Sequence, residues 1–270
     1  MATFLQDFLL TLEGKWKEVD TLIINAKQNK DTDLELYNAI CRSTTVLIVA
    51  HLEGFTKDLV KSIINDLNRF SSFQSLPKAI QRTYCSKYLG SPEGDKGYQG
   101  KIDTLATKFS AIDCKISHEP FFYSKNKNPT SNTIELAFSN FGITKVFGHL
   151  YESEIESVFS ASPSEALELS EKIKRLAIES TNEFPYPTTS NDLNLTKKNP
   201  KHKTLWEEFL EQINLKRHAI AHGNEYDNID DVTELESRRV KVSVLQYSLA
   251  TIMANHLQNH EQPPLAPTIL

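Results

Sequence analysis

A chain of 270 residues, 39% apolar and 24% charged, is long enough to bury a large core and falls within the range of a soluble globule. Its longest apolar run, Val46–Leu52, is broken by His51 and followed by Glu53, too short to cross a bilayer, and no basic-then-apolar opening marks a leader, so the chain is read as untargeted, cytoplasmic and free of membrane contact. The net charge of −5 argues against indiscriminate coating of nucleic acid, which needs accumulated Lys and Arg, but leaves room for an enzyme with a local basic cleft.

Helical periodicity dominates from the first residues. Phe4–Ala26 carries Phe8, Leu12, Trp16, Val19 and Ile23 at spacings of three and four. Leu34–Phe70 continues through Tyr37, Ile40, Thr44, Leu47, Phe55, Leu59 and Ile63. Its middle, Val46–Phe55, is apolar almost all round, the pattern of a helix enclosed by others and therefore of the central helix of a bundle. Beyond Phe70 the pattern weakens. A helix is expected over Pro77–Tyr88, a loop over Gly90–Gly100, a polar connection over Pro120–Asn132, and a short helix capped by Asn132 and closed by Gly142.

Ser162-Pro163-Ser164-Glu165 is a stronger start: a capping serine, a proline at the first helical position and a glutamate that completes a capping box, opening a helix to about Asn182. Pro185–Pro200 reads as irregular and leads into the basic patch Lys197, Lys198, Lys201 and Lys203. Two more helices follow, Thr204–His222 and Thr233–Asn259, before a proline-containing tail at 261–270. The expectation is an all-α protein: one helical domain over 1–260, with core helices at about 4–70, 163–182, 204–222 and 233–259, and a long, partly irregular insertion over 71–160. Cys41, Cys85 and Cys114 are too scattered for a disulfide framework or a zinc knuckle and read as reduced structural thiols.

The segment Leu215-Lys216-Arg217-His218-Ala219-Ile220-Ala221-His222-Gly223 concentrates one permanent cation and two imidazoles within a turn and a half of helix. At about 100° per residue, His218 lies about 100° and His222 about 140° round from Arg217, so the histidines are neighbours with the guanidinium beside them. RNA phosphodiester cleavage needs a base for the ribose 2′-hydroxyl, an acid for the leaving 5′-oxygen and a cation for the charged phosphorane. Imidazoles can do the first two jobs, and a guanidinium matches phosphate oxygens. Such chemistry requires neither metal nor cofactor. The same pattern also fits a solvated pair of histidines, or two ligands of a zinc site that borrows a carboxylate.

At this segment the sequence resembles the HEPN superfamily, marked by Arg, a polar residue, three further residues and His; Arg217, His218 and His222 occupy those positions and Gly223 follows. Val46-Leu47-Ile48-Val49-Ala50-His51-Leu52-Glu53-Gly54-Phe55 resembles the early helix of the MAE-type HEPN branch, and Phe138-Ser139-Asn140-Phe141-Gly142-Ile143 also resembles that branch. The resemblance implies a HEPN-like helical bundle and a metal-independent endoribonuclease of toxin–antitoxin or antiphage defence systems. Its catalytic residues would be Arg217, His218 and His222, acting on RNA from a homodimer with a composite site and restrained by an antitoxin or other protein partner. As the alternative, it admits a silent HEPN module that binds proteins or nucleotides. Glu53, in the most apolar stretch of the chain, either faces the cleft to orient Arg217 or a histidine, or pairs at the surface with Lys57. Lys216, Lys201 and Lys203 are expected RNA contacts beside the motif helix, or else solvated loop lysines.

Overall fold

The computed structural model describes residues 2–90, 95–122, 128–187, 193–223 and 230–258. Among these residues the protein is all-helical, as expected. Its α-helices are α1 (Phe4–Asn29), α2 (Leu34–Phe70), α3 (Lys78–Ser86), α4 (Tyr98–Ala111), α5 (Ser131–Ser139), α6 (Phe147–Leu150), α7 (Pro163–Glu179), α8 (Leu205–Ala221) and α9 (Val232–Gln258), with short 3-10 turns at Phe73–Ser75, Glu119–Phe121 and Glu154–Phe159. The tail expected at 261–270 lies outside the described residues.

Helices α1 and α2 form a hairpin across a four-residue connection, each opened by a side-chain cap. Thr3 accepts from the Gln6 N–H at 2.9 Å, and Asp33 accepts from the Leu36 N–H at 3.0 Å. Asp66, buried near the far end of α2, accepts the Phe4 N–H at 2.7 Å, the Leu5 N–H at 3.0 Å and the Tyr186 hydroxyl at 2.8 Å. Burial pushes its carboxyl up, while these donors pull it back. A carboxylate at the first free N–H groups of a helix satisfies donors that have no partner within the helix. The start of α1 is thus fixed to α2 and to the irregular segment behind α7.

The enclosed helix is not the one the apolar run predicts. In Val46–Phe55 only Ile48, Val49, Leu52 and Phe55 are fully buried; Val46, Leu47, His51, Glu53 and Gly54 are half-buried and Ala50 is exposed. The central element is α9, in which every residue from Val242 to Ala254 is buried. Its sequence hides this because Ser243, Gln246, Ser248 and Thr251 interrupt the apolar residues. Three of these polar groups are satisfied inside the core: Ser248 donates to the Val244 carbonyl at 2.7 Å, Thr251 donates to the Tyr247 carbonyl at 2.9 Å, and Gln246 accepts from the Trp16 indole at 3.0 Å. Helices α1, α2 and α7 pack around α9.

Residues 71–160 contribute Phe73, Ile80, Tyr84, Ile102, Phe121, Phe138, Phe141, Phe147 and Leu150 to the same hydrophobic cluster as the long helices. Helix α4 begins inside the expected Gly90–Gly100 loop; it has two glycines near its start and fully buries only Ile102, so its amphipathic signal is thin. Helix α5 is capped by Thr130, two residues before Asn132, and the helix opened by Ser162 ends at Glu179. Gly142 closes the α5 turn with φ +93°, and a side chain there would meet the Ala79 Cβ at 3.0 Å and the His256 ring at 3.4 Å. His256 Nε2 in turn lies 3.1 Å from the Phe141 carbonyl, joining this turn to the end of α9.

Two imidazoles outside the motif are held in the bundle. His51 lies 5.0 Å from the Trp16 ring, and its buried Nε2 finds no hydrogen-bond partner among the described residues. His149 Nδ1 lies 3.2 Å from the Leu195 carbonyl. Burial lowers both below the usual imidazole range. The unfolded chain therefore takes up protons that the native chain resists as pH falls through about 6.5; their contribution is complete above that value and is lost below it. In thermal melts at about pH 7.5 and about pH 5.5, the His51→Gln/His149→Gln protein should lose less Tm on acidification than the parent. An equal loss in both would refute the assignment.

Candidate active site

Helix α8 begins with a full capping box: Thr204 accepts from the Glu207 N–H at 3.2 Å, and Glu207 accepts from the Thr204 N–H at 2.8 Å. Its inner face buries Trp206, Phe209, Leu210 and Ile213, with Trp206 edge-on to Phe159 at 4.7 Å. Its outer face carries Glu208, Glu211, Leu215, His218 and His222, all exposed, and Leu215 retains 64% of its surface. Positions 211, 215, 218 and 222 recur at helical spacing, so the motif histidines belong to an exposed stripe that includes a large apolar side chain.

The two imidazoles are in contact, with ring centroids 4.2 Å apart and planes tilted by 52°. The helix stops at the second of them. His222 is the C-cap, donating its N–H to the His218 carbonyl at 3.0 Å, and Gly223 turns the chain with φ +69°. Arg217 is half-buried at the edge of the stripe, and no ion pair with a described residue neutralises it. A guanidinium and two touching imidazoles are therefore grouped at one end of α8.

The other expected residues are disposed differently. Lys216 turns inward: its side chain is 13% exposed and its Nζ lies 3.7 Å from Asp230. Lys203 pairs with Glu211 at 2.6 Å, which raises the lysine, while Lys201 is exposed. Lys197 donates to the Thr144 hydroxyl at 2.9 Å and Lys198 to the Glu152 carbonyl at 2.8 Å, so the lysine patch is partly spent on its own loops. Glu53 pairs with Lys57 at 2.6 Å, and no hydrogen bond or ion pair joins it to Arg217, His218 or His222. Among the described residues, no group of three or more His, Cys, Asp or Glu is placed to hold a metal ion, so the His218–His222 pair has no third ligand there. No described helix is long and apolar enough to cross a membrane.

Sequence reading missed the ion pair behind the motif. Asp230 receives the Thr45 hydroxyl at 3.1 Å and pairs with Arg238, whose Nε also meets Glu234 at 2.9 Å. A threonine inside the apolar half of α2 and an Asp-Asp pair ahead of α9 are the available signals, and neither points to the other.

The match of a family model over most of the chain places this all-helical protein in the HEPN class. Within it, the chain belongs to the RiboL-PSP-HEPN family, whose model matches residues 11–255, the middle segment included. No curated protein and no solved structure matches the chain.

Proposed function

We propose that this protein is a metal-independent HEPN endoribonuclease that acts in the cytoplasm as the toxin or effector of a toxin–antitoxin or antiphage defence system. HEPN membership makes ribonuclease or nucleotide-directed activity the starting expectation. The observation that carries the sharper reading is the contact between His218 and His222 at 4.2 Å beside Arg217, which has no counterion among the described residues. One imidazole removes the proton of a ribose 2′-hydroxyl, whose oxygen attacks the adjacent phosphorus. The other protonates the departing 5′-oxygen, and Arg217 steadies the charged phosphorane between them. The products are a 2′,3′-cyclic phosphate and a 5′-hydroxyl. On this reading residues 1–260 work as one unit interrupted by the 71–160 insertion. The finer likeness to the MAE-type branch rests on Val46–Phe55 and Phe138–Ile143.

The substitutions Arg217→Ala and His222→Ala should each lower RNA cleavage by about a hundredfold or more, and abolish any growth toxicity, while leaving the melting profile intact. Full activity in a folded His222→Ala protein would remove this residue from the mechanism; a parent chain that cleaves no RNA would favour the silent interaction module. Cleavage should also persist in excess EDTA and leave cyclic-phosphate ends. Strict magnesium dependence or 5′-phosphate products would place the chain among other nucleases.

The active form is read as a homodimer. One copy of Arg217, His218 and His222 on a convex, wet surface is screened and stabilises charge weakly. Two motif helices related by a two-fold axis near Lys216–Gly223 would double the cations and exclude part of the water. Exposed Leu215 and the small Ala221 offer the apolar, low-relief surface such an approach needs. Both Leu215→Asp and Ala221→Trp should weaken association in sedimentation velocity and reduce cleavage in parallel. A monomer cleaving at full rate at nanomolar concentration would refute the composite site.

A further inference from the structure

We infer that Asp230 is a positioning residue for the motif, holding the last turn of α8 so that its histidines face outward; its catalytic consequence rests on the nuclease reading above. Asp230 is 7% exposed and lies just ahead of α9, while its partners come from three helices. Thr45 of α2 donates to it at 3.1 Å, Arg238 of α9 pairs with it, and Lys216 of α8 approaches it to 3.7 Å. A second tie nearby, from the Val232 N–H to the Tyr37 hydroxyl at 3.3 Å, fixes the start of α9 to α2, so the carboxylate is itself held.

The geometry of a helix links this inward ion pair to the outward site. At about 100° per residue, a Lys216 drawn toward the core sets Arg217 about 100° round, His218 about 200° and His222 about 240°. His218 therefore stands almost opposite Lys216. Rotating this turn, or letting it fray, would carry His218 and His222 away from their exposed contact. That turn is the end of the helix, where backbone hydrogen bonds run out and fraying is easiest.

The charges explain why a carboxylate is needed and a neutral group would not serve. Lys216 and Arg238 are 13% and 12% exposed, and both converge on Asp230. Removing its negative charge takes from both cations the counter-ion they share, and the lysine, with its flexible stem, is the more easily displaced. Glu234 pairs with Arg238 at 2.9 Å and is itself largely exposed.

The test uses the full chain carrying Asp230→Asn, which keeps size and an acceptor for Thr45 while removing the charge. Amide hydrogen exchange over residues 216–223 should accelerate about tenfold or more while the core of α9 stays protected. RNA cleavage should fall about tenfold or more in kcat with KM unchanged, because binding survives and alignment does not. If Asp230 acts through Lys216, the Asp230→Asn/Lys216→Met double variant should cost no more in kcat than Asp230→Asn alone. Should Asp230→Asn fail to fold, Lys216→Met carries the same exchange and kcat measurements. Unchanged exchange at 216–223 overturns the tether. Faster exchange with undiminished kcat overturns its role in alignment. A parent chain that cleaves no RNA defeats the nuclease reading, and the exchange result then decides the tether alone.

Discussion

The arrangement depends on enclosing α9. A helix buried over thirteen consecutive residues, Val242–Ala254, must be surrounded by other helices, and α1, α2 and α7 supply that surround. The hydrophobic effect drives this enclosure, but polar detail fixes it. The Trp16 indole meets Gln246, and serine and threonine side chains in α9 return to carbonyls one turn earlier. Because α9 is long, it has two working ends. At its start Arg238 reaches the carboxylate that receives Lys216 of the motif helix; at its finish His256 holds the turn at Phe141. Arg238 and His256 are eighteen residues apart, about 27 Å along a helix, so the motif and the turn closed by Gly142 are attached to opposite ends of one rigid element.

Much of the fold was legible because its signals are local. Phe8, Leu12, Trp16, Val19 and Ile23 announce α1, and Ser162-Pro163-Ser164-Glu165 starts α7 where a capping box should. The Leu34–Phe70 helix has the bounds its periodicity gives. Which helix lies at the centre is not legible in the same way. Val46–Phe55 looks like a buried core because its residues are apolar, yet Ala50 faces solvent. Helix α9 looks ordinary because its serines, threonine and glutamine dilute the pattern. Composition reports how apolar a segment is, whereas enclosure depends on how many neighbours reach it. Helix α4 was lost for the opposite reason, since glycines near its start and a single fully buried residue leave little periodicity to read.

The site divides along the same line. Arg217, His218 and His222 are readable together because a turn and a half of helix brings them together. The cluster of Thr45, Lys216, Asp230 and Arg238 is not, since its members are scattered over nearly two hundred positions and only the packing of three helices unites them. Lys216 illustrates the limit well. Its sequence neighbours suggest a phosphate contact, and only its three-dimensional neighbours reveal a carboxylate already taking that charge. Glu53 repeats the lesson on α2, where Lys57 one turn on takes the carboxylate.

Gly142 has a consequence for how the middle of this protein can change over time. Its backbone sits at φ +93°, and a Cβ there would lie tightly against Ala79 and His256. Any replacement would meet a penalty in conformation and would crowd its neighbours as well. The surfaces of α3, α4 and α5 are open to drift, insertion and shortening, as surface segments are. This turn is among the positions where such variation is most constrained. A lineage that remodels the segment to meet a different molecule would therefore be expected to rewrite its outer faces first and to leave this one hydrogen-sized side chain alone.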